Sequence, residues 1–401
     1  MDGRRRRIWW TAAAVVAVWF AVAALGAVRA RESWDARRAG ELGPEAALRG
    51  EAPAAQQAPA FEVDPHWPDP LPDDWILGQV SGVDVDSRGH IWIVHRPNTL
   101  TEREAGAAQD PPISQCCVPA PPVIAFDAEG DVVTAWGGPN EEYHWPDSEH
   151  GLYIDHEDNV WIGSNGPRDH VVLKFDREGE LLLQIGEAGR TGGSNDRELL
   201  GQPADIAVDP EANEVYIADG YGNRRVVVFD AATGEYRRHW GAYGERPDDS
   251  VELGAYAYSP DAEPAGQFRS PVHAVALSGD GFVYVADRVN NRIQVFTKDG
   301  DFVEEAFVAP RTLAMGSVWD IELSPDPEQR WVYVPDGTNT RVWILRRADL
   351  EVVGSFGRGG RYAGQFNWVH NLAVDADGNV YTTEVNTGKR VQKFVDAGAR
   401  E

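Results

Sequence analysis

Six segments of the chain alternate apolar and polar residues with a period of two, each interrupted by a short polar turn and resumed beyond it. They read GVDVDSRGHIWIV from Gly82, GLYIDHEDNVWIG from Gly151, DIAVDPEANEVYIA from Asp205, AVALSGDGFVYVA from Ala274, DIELSPDPEQRWVYV from Asp320 and NLAVDADGNVYTT from Asn371. Period two puts successive side chains on opposite faces of an extended strand, and turns such as DSRG, HEDN, SGDG and DADG reverse the chain. Each segment therefore predicts an antiparallel pair. Third strands follow as VVLKFD from Val171, RVVVFD from Arg225, RIQVFT from Arg292, RVWILR from Arg341 and RVQKFV from Arg390. A more variable fourth strand often ends in Trp-Gly or Phe-Gly, as at Trp136, Trp240 and Phe356. Four strands repeated about every 40–50 residues predict an all-β fold, a six-bladed propeller. The last copy stops after three strands. The stretch from Pro59 to Asp64 is expected to supply the fourth and close the ring, placing the propeller at residues 59–398. The first and third copies carry longer insertions, and the Pro-rich one at 97–122 is expected to cap the ring as a lid.

The N-terminus differs in kind. A basic region, residues 1–7 with Arg4 to Arg7, precedes an uncharged apolar run from Ile8 to Val28. At about 20 residues this run can span a bilayer as a helix, with the arginines on the cytoplasmic side. The rest of the chain is then expected outside the cytoplasm, tethered by a transmembrane anchor at 8–28. Two alternatives stay open: a signal peptide cleaved near Val28-Arg29-Ala30, giving a secreted protein, and a twin-arginine export signal. Residues 29–58 are rich in Ala, Arg, Glu, Pro and Gln without apolar periodicity, which predicts a disordered linker. The formal net charge of −27 argues against a nucleic-acid partner, which needs a basic surface. A monomer is expected. GRGGR from Gly357 opens no helix and so is no dinucleotide loop.

Three of the ten histidines, His150, His273 and His370, immediately precede the second, fourth and sixth copies. Alternate blades of a six-membered ring lie about 120° apart, so these imidazoles are expected to meet at one level around the axis. Three nitrogen ligands with a fourth position open are the arrangement of a catalytic zinc site. In a propeller the loop between the second and third strands shares the face on which the first strand begins. Arg96 (in HIWIVHR) and Tyr221 (in ADGYGNRR) occupy such loops and are expected to reach the same pocket. A guanidinium there can grip a carboxylate in bidentate fashion. Cys116 and Cys117, adjacent within the 97–122 insertion, are the two cysteines of the chain. A vicinal disulfide, two thiols and a soft-metal contact all remain open for them.

LGQVSGV at Leu77–Val83, VHR at Val94–Arg96, HGLYID from His150, ADGYGNRR from Ala218, and VHAVAL with VADRVNNRIQVF from Val272 together resemble the peptidyl-α-hydroxyglycine α-amidating lyases, six-bladed propellers of NHL-type repeats. The resemblance runs in order from about Leu77 to Val395. It implies that His150, His273 and His370 are zinc ligands, that Arg96 is an essential arginine and that Tyr221 is a catalytic tyrosine. It also implies a structural calcium held by the carbonyls of Val83 and Leu152 and by an Asp after the third histidine. This chain has Asn371 at that place, and a neutral amide binds calcium more weakly than a carboxylate. Trp368 stands where the family has a Met beside the pocket. Gly222 stands where the family has a Cys, which removes that disulfide.

The expected activity is therefore a zinc-dependent carbon–nitrogen lyase. Its substrate would be an α-hydroxylated amide, small or at a peptide C-terminus, split to an amide and glyoxylate. Two alternatives are carried: a metal-dependent hydrolase or lactonase on a propeller scaffold, and a non-catalytic NHL propeller that binds a partner on its face.

Overall fold

The computed structural model describes residues 57–253 and 258–400. The apolar run at 8–28 and most of the linker lie outside them. Among the described residues no helix is long and apolar enough to cross a membrane.

Six four-stranded antiparallel sheets follow one another along the chain. Blade 1 is Gln79–Val85, Ile91–Arg96, Val123–Phe126 and Val132–Trp136, and blade 2 is Glu149–Ile154, Val160–Ser164, Val171–Phe175 and Leu181–Gly186. Blade 3 is Pro203–Asp209, Glu214–Asp219, Arg225–Asp230 and Tyr236–Trp240, and blade 4 is Val272–Leu277, Phe282–Asp287, Arg292–Thr297 and Phe302–Phe307. Blade 5 is Glu322–Leu323, Trp331–Asp336, Arg341–Arg346 and Glu351–Phe356. Blade 6 holds Val369–Val374, Val380–Glu384 and Arg390–Asp396, and its fourth strand is Phe61–Asp64, antiparallel to the last with Phe61 opposite Asp396. The ring is thus sealed by pairing the two ends of the propeller, which leaves no open sheet edge at the junction.

The repeated Asp at the end of the first strand explains the turn. Asp86 accepts the backbone N–H groups of Arg88 and His90, and its other oxygen accepts the indole N–H of Trp92 at 2.8 Å. Asp155 does the same for Glu157, Asn159 and Trp161, and Asp375 for Asp377, Asn379 and the Tyr381 hydroxyl. One side chain both caps the turn and anchors the aromatic residue of the second strand. A second device closes the loop between strands two and three. Arg225 and Asn223 both donate to Asp219, as Arg292 and Asn290 do to Asp287, with these arginines and aspartates fully buried. Charge-assisted pairing offsets the desolvation of such groups.

The apolar faces meet blade against blade. Trp92, Val94 and Val123 of blade 1 pack on Leu152, Ile162 and Leu173 of blade 2, and equivalent clusters fill every later junction. The last joins blade 6 to blade 1, where Tyr381 and Ala373 meet Ile91, Ile93 and Trp67. Each Leu, Ile or aromatic side chain buried there contributes about 1.5–3 kcal/mol.

The 97–122 insertion stands at the rim of blade 1. Its Val118–Pro119 strand pairs in parallel with Trp75–Ile76. Lys389 of blade 6 donates to the Thr99 carbonyl and the Glu104 carboxylate, while Asn98 donates to the Asp147 carbonyl before blade 2. Cys116 and Cys117 are joined by a disulfide.

Candidate functional site

Every blade contributes one residue to the axial mouth at the same register: Ser81, His150, Ala204, His273, Trp319 and His370 in ring order. The first strand is irregular there. Its pairing slips between Val80 and Gly82, between His150 and Leu152, between Pro203 and Asp205, between Val272 and Ala274, and between Val369 and Leu372. A bulge inserts a residue and re-aims a side chain. In blade 2 Gly151 takes the extra place at φ 63°, and a Cβ there would lie 2.4 Å from the Ala204 carbonyl oxygen, so this glycine is obligatory.

The three imidazoles form a nearly equilateral triangle, with ring centroids 4.8, 4.7 and 4.9 Å apart, and one ligand nitrogen of each lies within 4.8 Å of the others. Hydrogen bonds at Nδ1 orient them. His150 Nδ1–H donates to the Ala204 carbonyl at 2.7 Å, His273 Nδ1–H to the Trp319 carbonyl, and His370 Nδ1–H to the Asn371 side-chain oxygen. With Nδ1 carrying the proton, each Nε2 lone pair is left for the axis. Burial, reinforced by neighbouring imidazole and guanidinium groups, pushes His150 and His273 well below the ordinary histidine range and His370 down to about 3. Neutral imidazoles converging on one point are the donor set that zinc takes. The residues fit a metal.

Tyr221 and Arg96 lie against this triangle. The Tyr221 hydroxyl is 3.0 Å from His150 Nε2 and 3.1 Å from His273 Nε2. Arg96, only 9% exposed, donates from Nε to the Glu149 carbonyl at 2.7 Å, from Nη1 to Gln79 Oε1 and from Nη2 to Asn165 Oδ1. All three acceptors are neutral, so the structure positions the guanidinium without neutralising it. Glu149 beside it is buried, which pushes its carboxyl up to about 7.

Two site residues escaped the sequence reading. Arg288 follows the second strand of blade 4, its Nη1 3.3 Å from the Tyr221 hydroxyl and its guanidinium stacked 4.5 Å over Trp319. Its Nε has no hydrogen-bond partner. Trp319, in the blade-5 place of the histidine register, packs edge-on against His273 and His370. Comparing VADR with VHR and reading the register through all six copies would have found both. Trp368 joins this wall, its ring 6.0 Å from that of Trp319, held at φ 65°. A bulky residue in left-handed backbone is costly and marks an over-determined site.

The implied calcium position is different. Val83 and Leu152 line the central channel below the histidines together with Asn371, around a cavity of about 280 Å³. The Asn371 oxygen is engaged by His370, and its amide N–H donates to Asp320 at 3.0 Å. It presents a donor rather than a charge at this place, so the implied ligand set loses its carboxylate, while Asp84, Asp205, Asp320 and Glu322 line the same cavity. A second cluster, His144, Asp147 and Asp169, is a capped turn: Asp169 accepts the backbone N–H of Asp147, Ser148 and Gly166.

The chain is similar in sequence to several known proteins. The NHL repeat matches at residues 200–229 and 271–296, which are blades 3 and 4. Peptidyl-glycine alpha-amidating monooxygenase B of Xenopus laevis is 27% identical over 368 residues, 86% of this chain and 37% of that one. Peptidyl-alpha-hydroxyglycine alpha-amidating lyase 1 of Drosophila melanogaster is 28% identical over 342 residues, covering 80% and 57%. NHL repeat-containing protein 3 of Mus musculus is 27% identical, covering 84% of each chain. The chain spans about a third of the length of the monooxygenases that it matches.

Proposed function

We propose that this NHL-repeat propeller is a metal-dependent lyase that breaks the C–N bond of an N-acyl-α-hydroxyglycine or a related α-hydroxylated amide. The observation that carries this reading is the phenol oxygen of Tyr221 held within hydrogen-bond reach of two of three neutral, converging imidazoles. His150, His273 and His370 would hold a zinc ion, which when bound supplies a Lewis acid beside the substrate hydroxyl. Arg96, kept charged among neutral acceptors, would grip the substrate carboxylate. Tyr221 would take the hydroxyl proton as that oxygen becomes a carbonyl. The C–N bonding pair passes to the amide nitrogen, the same proton is returned to it, and an amide and glyoxylate leave. Arg288, stacked on Trp319 and touching Tyr221, would steady the phenol. The buried face and the insertion at 97–122 would exclude water. A disulfide suits an extracytoplasmic protein, and the export segment at 8–28 is read accordingly.

The test supplies α-hydroxyhippuric acid to purified protein and measures glyoxylate. Release should be lost with a zinc chelator, restored by zinc, and lowered at least about 100-fold by Tyr221→Phe. Absence of glyoxylate from every α-hydroxyglycine amide offered would end this reading. One observation favours a second: Tyr221 is near enough to complete a four-ligand shell, as in a closed structural metal site. Tyrosinate–metal charge transfer in the cobalt-substituted protein would then support a binding propeller.

A further inference from the structure

The first strands of the propeller surround the axis without pairing to one another, so the N–H groups they turn inward need other acceptors. Three carboxylates from alternate blades meet that need. Asp84 of blade 1 accepts the Ile154 N–H at 2.6 Å, Asp205 of blade 3 the Val275 N–H at 3.0 Å, and Asp320 of blade 5 the Leu372 N–H at 3.1 Å. Each acceptor therefore comes from an odd blade, and each donor lies two or four residues beyond a histidine, on the strand that bears it. Asp84 and Asp320 also accept the N–H of the residue that follows them. In blade 6 the link goes further, from the Asp320 carboxylate through the Asn371 amide to His370 Nδ1. All members of this chain are at most 6% exposed.

We propose that Asp84, Asp205 and Asp320 are positioning residues that staple the three histidine-bearing strands, and that the Asp320–Asn371–His370 relay stands in place of a channel calcium ion. Two features argue against a cation among the carboxylates. Both oxygen atoms of Asp84 and of Asp320, and one of Asp205, already accept backbone or amide N–H groups. Among the described residues, the groups that bring three ligand atoms within 4.8 Å of one another do not include them. The inference rests on the histidines holding a metal, and is independent of the reaction.

The purified zinc-loaded protein should contain no stoichiometric calcium by elemental analysis, and its Tm should be unchanged by millimolar calcium. Zinc affinity, measured by chelator competition, should fall about 10- to 100-fold in Asn371→Leu, the range found when the outer partner of a ligating histidine is removed. If Asn371→Leu fails to fold, Asp320→Ala gives the same readout, since it removes the oxygen that accepts the Asn371 amide. Bound calcium in the wild-type protein, a Tm that millimolar calcium raises, or unchanged zinc affinity in the variants would overturn the proposal. A lyase assay plays no part, so an inactive protein leaves this test intact.

Discussion

Arg96 is 9% exposed and donates to the oxygen atoms of Glu149, Gln79 and Asn165. A lysine could not span three such acceptors with a fixed fork, so Arg96→Lys is expected to lower kcat/KM about 10- to 100-fold in steady-state assays, chiefly through KM. The neighbouring His95 accepts the Gly78 N–H at Nδ1, and Nε2–H then donates to the Pro121 carbonyl. Burial pushes its pKa down to about 4. The folded state thus refuses a proton that the unfolded chain accepts near 6.5, so this stability is present above that pH and is lost as pH falls towards 4. The contribution is about 3 kcal/mol. His95→Asn should cost stability at pH 7.5 and flatten the loss between pH 6.5 and 4 in urea titrations. His95 does not show its role in the sequence, because that role is defined by the Pro121 carbonyl and the Gly78 N–H from other parts of the chain.

Strands are what the sequence displayed best, since alternation and turn residues repeat six times. The bulges were hidden: one extra residue at His150 or Ser81 leaves the alternation on either side intact while turning the side chain towards the axis. The histidine register nevertheless led to the site, because each histidine is the second residue of the first strand in an alternate blade, at the same end of the ring. The closing strand was legible only by subtraction. Phe61 shows why it holds, packing 4.7 Å from Phe356 and 5.6 Å from Tyr333 of blade 5 as well as pairing with blade 6. Phe61→Ala should therefore cost about 2–3 kcal/mol, at the low end of the range because the ring is only half-buried, with urea unfolding as the measure.

The molecule as a whole sets a negative field around a positive mouth. A formal net charge of −27 surrounds a site where Arg96 and Arg288 make no ion pair among the described residues. For an anionic substrate the long-range term is repulsive and is screened over about 8–10 Å at physiological salt. Raising ionic strength from about 0.01 to 0.15 M should then increase kcat/KM; a decrease would show that the local arginines dominate the approach. Composition revealed the sign of the net charge but not which arginines the toroid turns towards the histidines. The ring closure has a temporal meaning too. Phe61–Asp64 is made early during synthesis, yet its hydrogen-bonding partner at Arg390–Asp396 emerges about 330 residues later. Until then a bare β-edge waits beside five nearly complete sheets, the kind of surface that recruits neighbours of its own sort. The same seam that makes the finished toroid seamless is its point of greatest exposure while it is being born.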